Sequence, residues 1–374
     1  MNRDQLVILS VISWRIGIPT FWWSSPGLGK TKTHEAIAKM LKIHLEILVG
    51  ATRLPEDIGG YPIPSEGKKH IERLPDTWVD RAKSRLSEKT PVLLMLDDFT
   101  TCNEGMEAAF YRVVQEQVAG DIDLAGIWIS AAGNPPGTAA GARPLSQAMA
   151  NRFCHFEIKF DVMDWANRRR SGFPLPVIPE LPKDWKSKIA KWSAAIEAFC
   201  SSASAVQLNK LHEKAGNPAD GNIMGYPSER SLDSLGRALA AVDSALPESD
   251  KLNAIGTFSR GLIGSQAGEL FMTWLNDQDL PDPEALLEQA IKNKVVIKKM
   301  RNDRMHLIAS AVVQAVCLHN NTPERWIAAL RILDKVPQDV GAAVINDLYA
   351  NKPAQVQFTD KEVGKLLSRY SILL

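Results

Sequence analysis

The stretch TFWWSSPGLGKT, Thr20 to Thr31, decides how this chain is read. Thr20-Phe21-Trp22-Trp23 reads as a short buried strand. Thr31 to Lys42 has helical periodicity, with Ile37, Met40 and Leu41 on one face. Between them lies SSPGLGKT, Ser24 to Thr31. A strand, a glycine-rich turn and a helix in that order give the context that a phosphate-binding loop needs. Gly27 and Gly29 let backbone N–H groups turn inward around phosphate oxygens, and the helix that follows adds its dipole. In this reading Pro26, Gly27, Leu28 and Gly29 form the cradle. Lys30 reaches the β- and γ-phosphates, and the Thr31 hydroxyl binds Mg²⁺. The pattern GxxxxGK[ST] is met except at its first position, where Ser24 stands for glycine; serine is small enough for the sharp exit from the strand.

Outward from the loop, strands and helices alternate. A first helix runs from Leu6 to Ile16 and stops near Gly17-Ile18-Pro19. Strands are expected at Leu45–Val49, Val92–Leu96, Ile127–Ala131 and Phe156–Phe160, with a helix over Glu107–Gln117. The run VLLML is apolar without alternation, as in a parallel strand covered on both faces. Asp97 and Asp98 follow it directly. An acidic residue at that point can hold Mg²⁺ bound to phosphates, the role assigned to Asp97, while Asp98 orients or deprotonates a water. Beyond about Asp161 strand signals stop, and Ser187–Phe199, Ser228–Val242 and Leu286–Ala315 carry helical periodicity. The fold expected is α/β, a P-loop nucleotide-binding core with a parallel sheet over residues 1–161. A helical lid over 162–275 and a C-terminal helical extension over 276–374 follow.

The order of motifs resembles an AAA+ ATPase, and the details resemble the MoxR family, over roughly Ile18 to Val242. LPEDIGG, Leu54 to Gly60, resembles the entry to that family's helix-2 insertion. GYPIPSEGKKHIERLPDTW then reads as a hairpin with a Ser65-Glu66-Gly67 turn, facing a channel or a partner. VAGDIDLAGIWIS, from Val118, resembles the hairpin before the sensor-1 strand, and AAGNPP places Asn134 at the sensor-1 position. LSQAMANRF, Leu145 to Phe153, resembles the segment of the arginine finger, which falls on Arg152. YPSERSLDSL, from Tyr226, resembles the start of the lid helix carrying sensor 2, which falls on Arg230. The resemblance implies ATP hydrolysis with Mg²⁺ by a homo-oligomeric ring, a hexamer in the family. It also implies chaperone-like remodelling of a client protein, often alongside a partner with a von Willebrand factor A domain. One departure is chemical: the family usually has Glu after the magnesium aspartate, where this chain has Asp98. One methylene fewer draws the carboxylate back by about 1.5 Å, and such a misplacement can cost about a hundredfold in rate.

Composition sets outer limits. With 374 residues, 45% hydrophobic and 23% charged, the chain has a real core and is neither disordered nor low-complexity. Lys+Arg 44 against Asp+Glu 43 leaves a net charge of +1, which disfavours a nucleic-acid motor or loader, the main rival reading. A second rival is a nucleotide-gated scaffold that hardly turns over, motivated by Ser24 and Asp98. No stretch of about 18 apolar residues is uninterrupted, so a membrane span is not expected, and a cytoplasmic protein is. Cys102, Cys154, Cys200 and Cys317 lie far apart, which argues against a disulfide framework or a zinc ribbon. Cys154-His155 lacks further ligands at metal spacing. Arg168-Arg169-Arg170 reads as a solvated helix face, and Lys292–Arg304 as an amphipathic core helix.

Overall fold

The computed structural model describes residues 1–67, 69–215, 224–277, 282–292, 294, 302–319, 321–356 and 361–370. Nine strands form among the described residues. They are β1 (Thr20–Trp23), β2 (His44–Val49), β3 (Tyr61–Pro64), β4 (Ile71–Leu74), β5 (Val92–Asp97), β6 (Val118–Ala119), β7 (Ile122–Asp123), β8 (Trp128–Gly133) and β9 (Cys154–Glu157). Five of them make one parallel sheet in the order β2-β5-β8-β1-β9. This is the α/β P-loop architecture expected from the sequence, followed by helical material. The strand order reverses beside β1, and in open α/β sheets the crevice at such a switch point, at the carboxyl ends of the strands, is where ligands bind. Register aligns those ends: Trp23 pairs with Gly133, and Leu96 with Ala131.

β1 explains why the sheet is covered on both sides. Successive side chains of a strand point to opposite faces, so Phe21 and Trp23 enter one core and Trp22 the other. The first core holds Phe99, Phe110 and Phe153, from segments next to Asp98 and Arg152. The second joins Trp14 of the Arg3–Arg15 helix and Ile37 of the Lys30–Leu41 helix to Trp192, Leu235, Phe258 and Phe271 of the helical part. A third core, around Trp326, Leu330, Ile345 and Tyr370, is built almost wholly from the C-terminal helices.

Two expectations shift. The fifth core strand is Cys154–Glu157 rather than Phe156–Phe160. β1 is only four residues long, so its partner can pair only from Cys154 to Glu157; Ile158 N–H donates a last bond to the Trp23 carbonyl, and Phe160 is exposed. The periodic stretch Leu286–Ala315 divides into two helices, Pro283–Ile291 and Asn302–His319. Most of Lys292–Arg304 lies outside the described residues, and Lys292 itself falls past the end of the first of these helices. Helices Ala205–Lys214, Glu248–Ile263, Ser265–Asn276, Pro323–Leu333 and Gln338–Ala350 complete most of the remainder. Among the described residues no helix is long and apolar enough to cross a membrane. β3 and β4 pair only with each other, and all eight of their residues are exposed.

The helical part is tied by one buried carboxylate. Asp243 accepts bonds from Lys191 at 3.1 Å, Lys251 at 2.9 Å and the Trp192 indole at 3.2 Å, with Lys188 at 3.5 Å. Burial alone raises its pKa, but Lys191, Lys251 and Lys188 outweigh burial and hold it well below the usual carboxylate range. A depressed pKa in the folded state adds stability that is present above the unfolded pKa, about 3.9. That stability fades as pH falls below this value. Asp243→Asn is therefore expected to lower stability by about 2 kcal/mol at pH 7, the lysines being partly exposed. The gap between variant and parent should narrow below about pH 4. Thermal melts of both proteins across pH check this; a gap that stays constant into acid would show that the charge is not what stabilises.

Candidate active site

The loop after β1 leaves the sheet at Ser24, which is buried, and rises through Ser25, Pro26, Gly27 and Gly29, which are exposed. Gly27 and Gly29 have φ of +81° and +72°, in the left-handed region that glycine adopts without steric cost. A helix starting at Lys30 follows, with Gly29 as its cap. Exposed N–H groups at a helix start form an anion cradle. Arg3, from the first helix, fixes the outer side of the loop: its Nη2 donates to the Leu28 carbonyl at 2.5 Å.

Lys30 is the hub. Its Nζ donates to the Asn134 Oδ1 at 2.8 Å and to the Ser24 Oγ at 3.0 Å, and the residue is buried. Burial lowers its pKa, and the charges of Asp97 and Asp98 work against that lowering. Ser24, the departure from the glycine pattern, thus supplies a hydroxyl to the lysine. Thr31 Oγ1 donates to Asp97 Oδ2 at 2.6 Å, so a hydroxyl and a carboxylate converge as two hard oxygens. Asn134 is seated by its own N–H, which donates to Thr100 Oγ1 at 3.0 Å. The glycine before it is required, because a Cβ at Gly133 would stand 2.6 Å from Thr100 Cγ2 and 2.9 Å from Phe21 Cζ. Asp98 is half-buried beside Asp97, with φ 48° and ψ 38°. Aspartate tolerates that left-handed backbone better than most residues do.

Arg152 and Arg230 stand elsewhere. Together with Arg237 they line a cavity of about 170 Å³ that also involves Gly17, Ile18 and Pro19. Those three residues lead into the amino end of β1, whereas Lys30 follows its carboxyl end. The extended chain from Pro19 to Ser24 alone spans about 16 Å. Arg152 stacks 3.7 Å over the Tyr111 ring and bonds to the Tyr111 hydroxyl and the Ala148 carbonyl, while its Nε is buried without a partner. Burial and then the charge of Arg230 lower its pKa. The structure therefore brings Ser24, Lys30, Thr31, Asp97, Asp98 and Asn134 together and groups Arg152 with Arg230 at the other edge.

A cavity of about 860 Å³ opens beside the loop, lined by Arg3, Leu28, Phe160, Asp164, Trp165, Arg168 and others. Nothing local in the sequence marks it. Its residues come from the chain start and from the helix Val162–Arg170, where no motif stands out. Arg168 departs from the solvated face expected of it: its side chain is only 16% exposed and lines this cavity, with Asp4 at 4.0 Å. Cys154 and His155 are buried, and no cluster of metal-ligating side chains occurs among the described residues.

No family model matches the chain, and no curated protein matches it. Among solved structures it is similar to a candidate ATPase from Cytophaga hutchinsonii, at 17% identity and a TM-score of 0.48. The match covers 75% of this chain and 91% of that one. The strand order β2-β5-β8-β1-β9, with a glycine loop and a helix after β1, is that of a P-loop fold.

The positive φ angles of the loop make a direct expectation. A Cβ at Gly29 meets nothing within 4 Å, so the cost of Gly29→Ala is backbone strain alone. That cost is about 1–2 kcal/mol, read as a lower melting temperature. An unchanged melting temperature would show that the loop relaxes freely into another conformation.

Proposed function

We propose that this chain is a magnesium-dependent ATPase of the MoxR type within the AAA+ class. The observation that carries the reading is the double closure at the switch point, Lys30 onto Asn134 and Thr31 onto Asp97. Loop N–H groups and Lys30 hold the β- and γ-phosphates. The Thr31 hydroxyl and the Asp97 carboxylate are the oxygen ligands that suit Mg²⁺, which when bound would neutralise charge between those phosphates. Asp98 accepts a proton from the attacking water, and the Asn134 amide, released from Lys30, orients that water or the γ-phosphate. The cavity beside Leu28 is the place for the nucleoside, with the aromatic rings of Phe160 and Trp165 as stacking surfaces.

Arg152 and Arg230 line a cavity beside the amino end of β1, away from their own Lys30, which supports a ring in which Arg152 serves the neighbouring subunit's nucleotide. By resemblance that ring is hexameric. It remodels a client protein, in some settings with a von Willebrand factor A domain partner. The exposed β3–β4 hairpin, with Ile63 and Ile71 in the open, is the element offered to that client. A slow, nucleotide-gated scaffold is the second reading, and Asp98 favours it: its side chain is one methylene shorter than the usual glutamate.

Four variants and one mixture test the proposal. Lys30→Ala should lose tight ATP binding in a direct titration; undiminished affinity would remove the loop from the nucleotide site. Asp98→Asn should bind ATP and fail to turn it over, and wild-type turnover would overturn the role given to Asp98. Asp98→Glu separates an enzyme limited by reach, which speeds up or holds, from a site built around the shorter acid, which collapses. Arg152→Ala should bind ATP and lose about 10³-fold or more in rate. Arg152→Ala subunits mixed with Lys30→Ala subunits should recover activity once exchange into mixed rings is verified. Mixed rings as inactive as their parents would rule out a finger acting across the interface.

A further inference from the structure

One face of the sheet collects the neighbours of three functional positions. Trp23 precedes Ser24, Phe99 follows Asp98 and Phe153 follows Arg152, and all three side chains are buried. Phe21 lies edge-on to Phe99 at 5.9 Å and to Phe153 at 5.4 Å. His155 completes the group, stacked 6.1 Å from Trp23 and edge-on to Phe153 at 6.4 Å. It is also hydrogen-bonded at both ring nitrogens. Trp23 Nε1–H donates to His155 Nδ1 at 2.9 Å, and His155 Nε2–H donates to the Ala150 carbonyl at 2.8 Å. An indole can only donate and a carbonyl only accept, so the proton sits on Nε2. Burial pushes the imidazole down to about 4, which keeps the ring neutral near pH 7.

The two ends of this bridge differ in how firmly they are held. Trp23 is paired on both sides, with Gly133 and with Glu157. Ala150 closes a single helical turn, Gln147–Ala150, and Arg152 leaves the chain two residues later. Arg152 folds back onto that same turn through the Ala148 carbonyl. The turn thus holds one side of the guanidinium, and Tyr111 holds the other.

We propose that His155 is a positioning residue for Arg152, tying the turn that carries it to the end of the loop strand through Trp23. The proposal rests on the reading of Arg152 as a finger for the neighbouring subunit. Its action is thus on the neighbour's hydrolysis and not on the nucleotide held by its own loop.

The test uses the full chain with His155→Phe, which keeps an aromatic ring and deletes both bonds, and His155→Gln, whose amide can accept from Trp23 and donate to Ala150. His155→Phe is expected to lower kcat by about tenfold or more, the scale of a small misplacement, with KM and ATP affinity near wild type. His155→Gln should restore most of the loss. Mixing His155→Phe with Lys30→Ala subunits should recover activity, because the mixed rings contain interfaces with an intact loop and an intact finger. Mixing His155→Phe with Arg152→Ala should not. Wild-type kcat in His155→Phe overturns the proposal. So does failure to recover with Lys30→Ala when Arg152→Ala recovers with it, because His155 then serves its own loop. If the Arg152→Ala mixture stays inactive, the finger reading falls first and takes this proposal with it. ATP affinity is the check on folding; where His155→Phe fails it, Trp23→Phe, which removes the indole donor while keeping a smaller aromatic ring, takes its place under the same outcomes.

Discussion

A lysine ammonium buried at the edge of a sheet is a constraint on everything around it. Lys30 is drawn from water and needs acceptors within reach, because a buried charge without partners is expensive. Ser24 supplies one from the end of β1 and Asn134 another from the end of β8. Those two strands are neighbours only because the chain has placed β8 beside β1 in register, Trp23 opposite Gly133. The sheet order, the glycine at 133 and the cap at Gly29 all have to be right for this one cation to be satisfied.

Below the charged edge the cores do different work. Phe21 and Trp23 pack toward the segments that bear Asp98 and Arg152, while Trp22 faces helices from both ends of the chain. A second buried histidine stands on that other face. His34 contacts the Lys30 carbonyl at 2.9 Å and Ser130 Oγ at 2.7 Å, its ring 4.1 Å from that of Trp22. Both histidines sit close to β1, so the strand that ends in the loop is held by polar bonds as well as by packing.

Much of this was legible in the sequence, for identifiable reasons. Val92–Leu96 is apolar without a break because it is buried on both faces, and Thr20–Trp23 is as short as its four bulky residues suggest. Residues contiguous in the chain, such as Gly27 to Thr31, announce their site. Residues that meet across the fold without a motif of their own do not. Arg3 reaches Leu28 over 25 positions, and nothing local marks it. The apolar Ile158 and Phe160 extend the expected strand past Glu157, whereas pairing length, set by a distant strand, decides where β9 stops. Arg168 sits in a run of three arginines, and only the packing of its helix separates it from the other two.

The exposed hairpin carries a property of its backbone that its side chains hide. β3 has prolines at 62 and 64, opposite Arg73 and Ile71. Proline has no N–H to give, and positions two apart face the same edge. One rim of this ribbon therefore offers carbonyls with no matching donors at those places. Another strand cannot zip onto it, although Ile63, Ile71 and Leu74 are open to solvent. Along β3, contact through side chains is open while growth into a shared sheet is blocked.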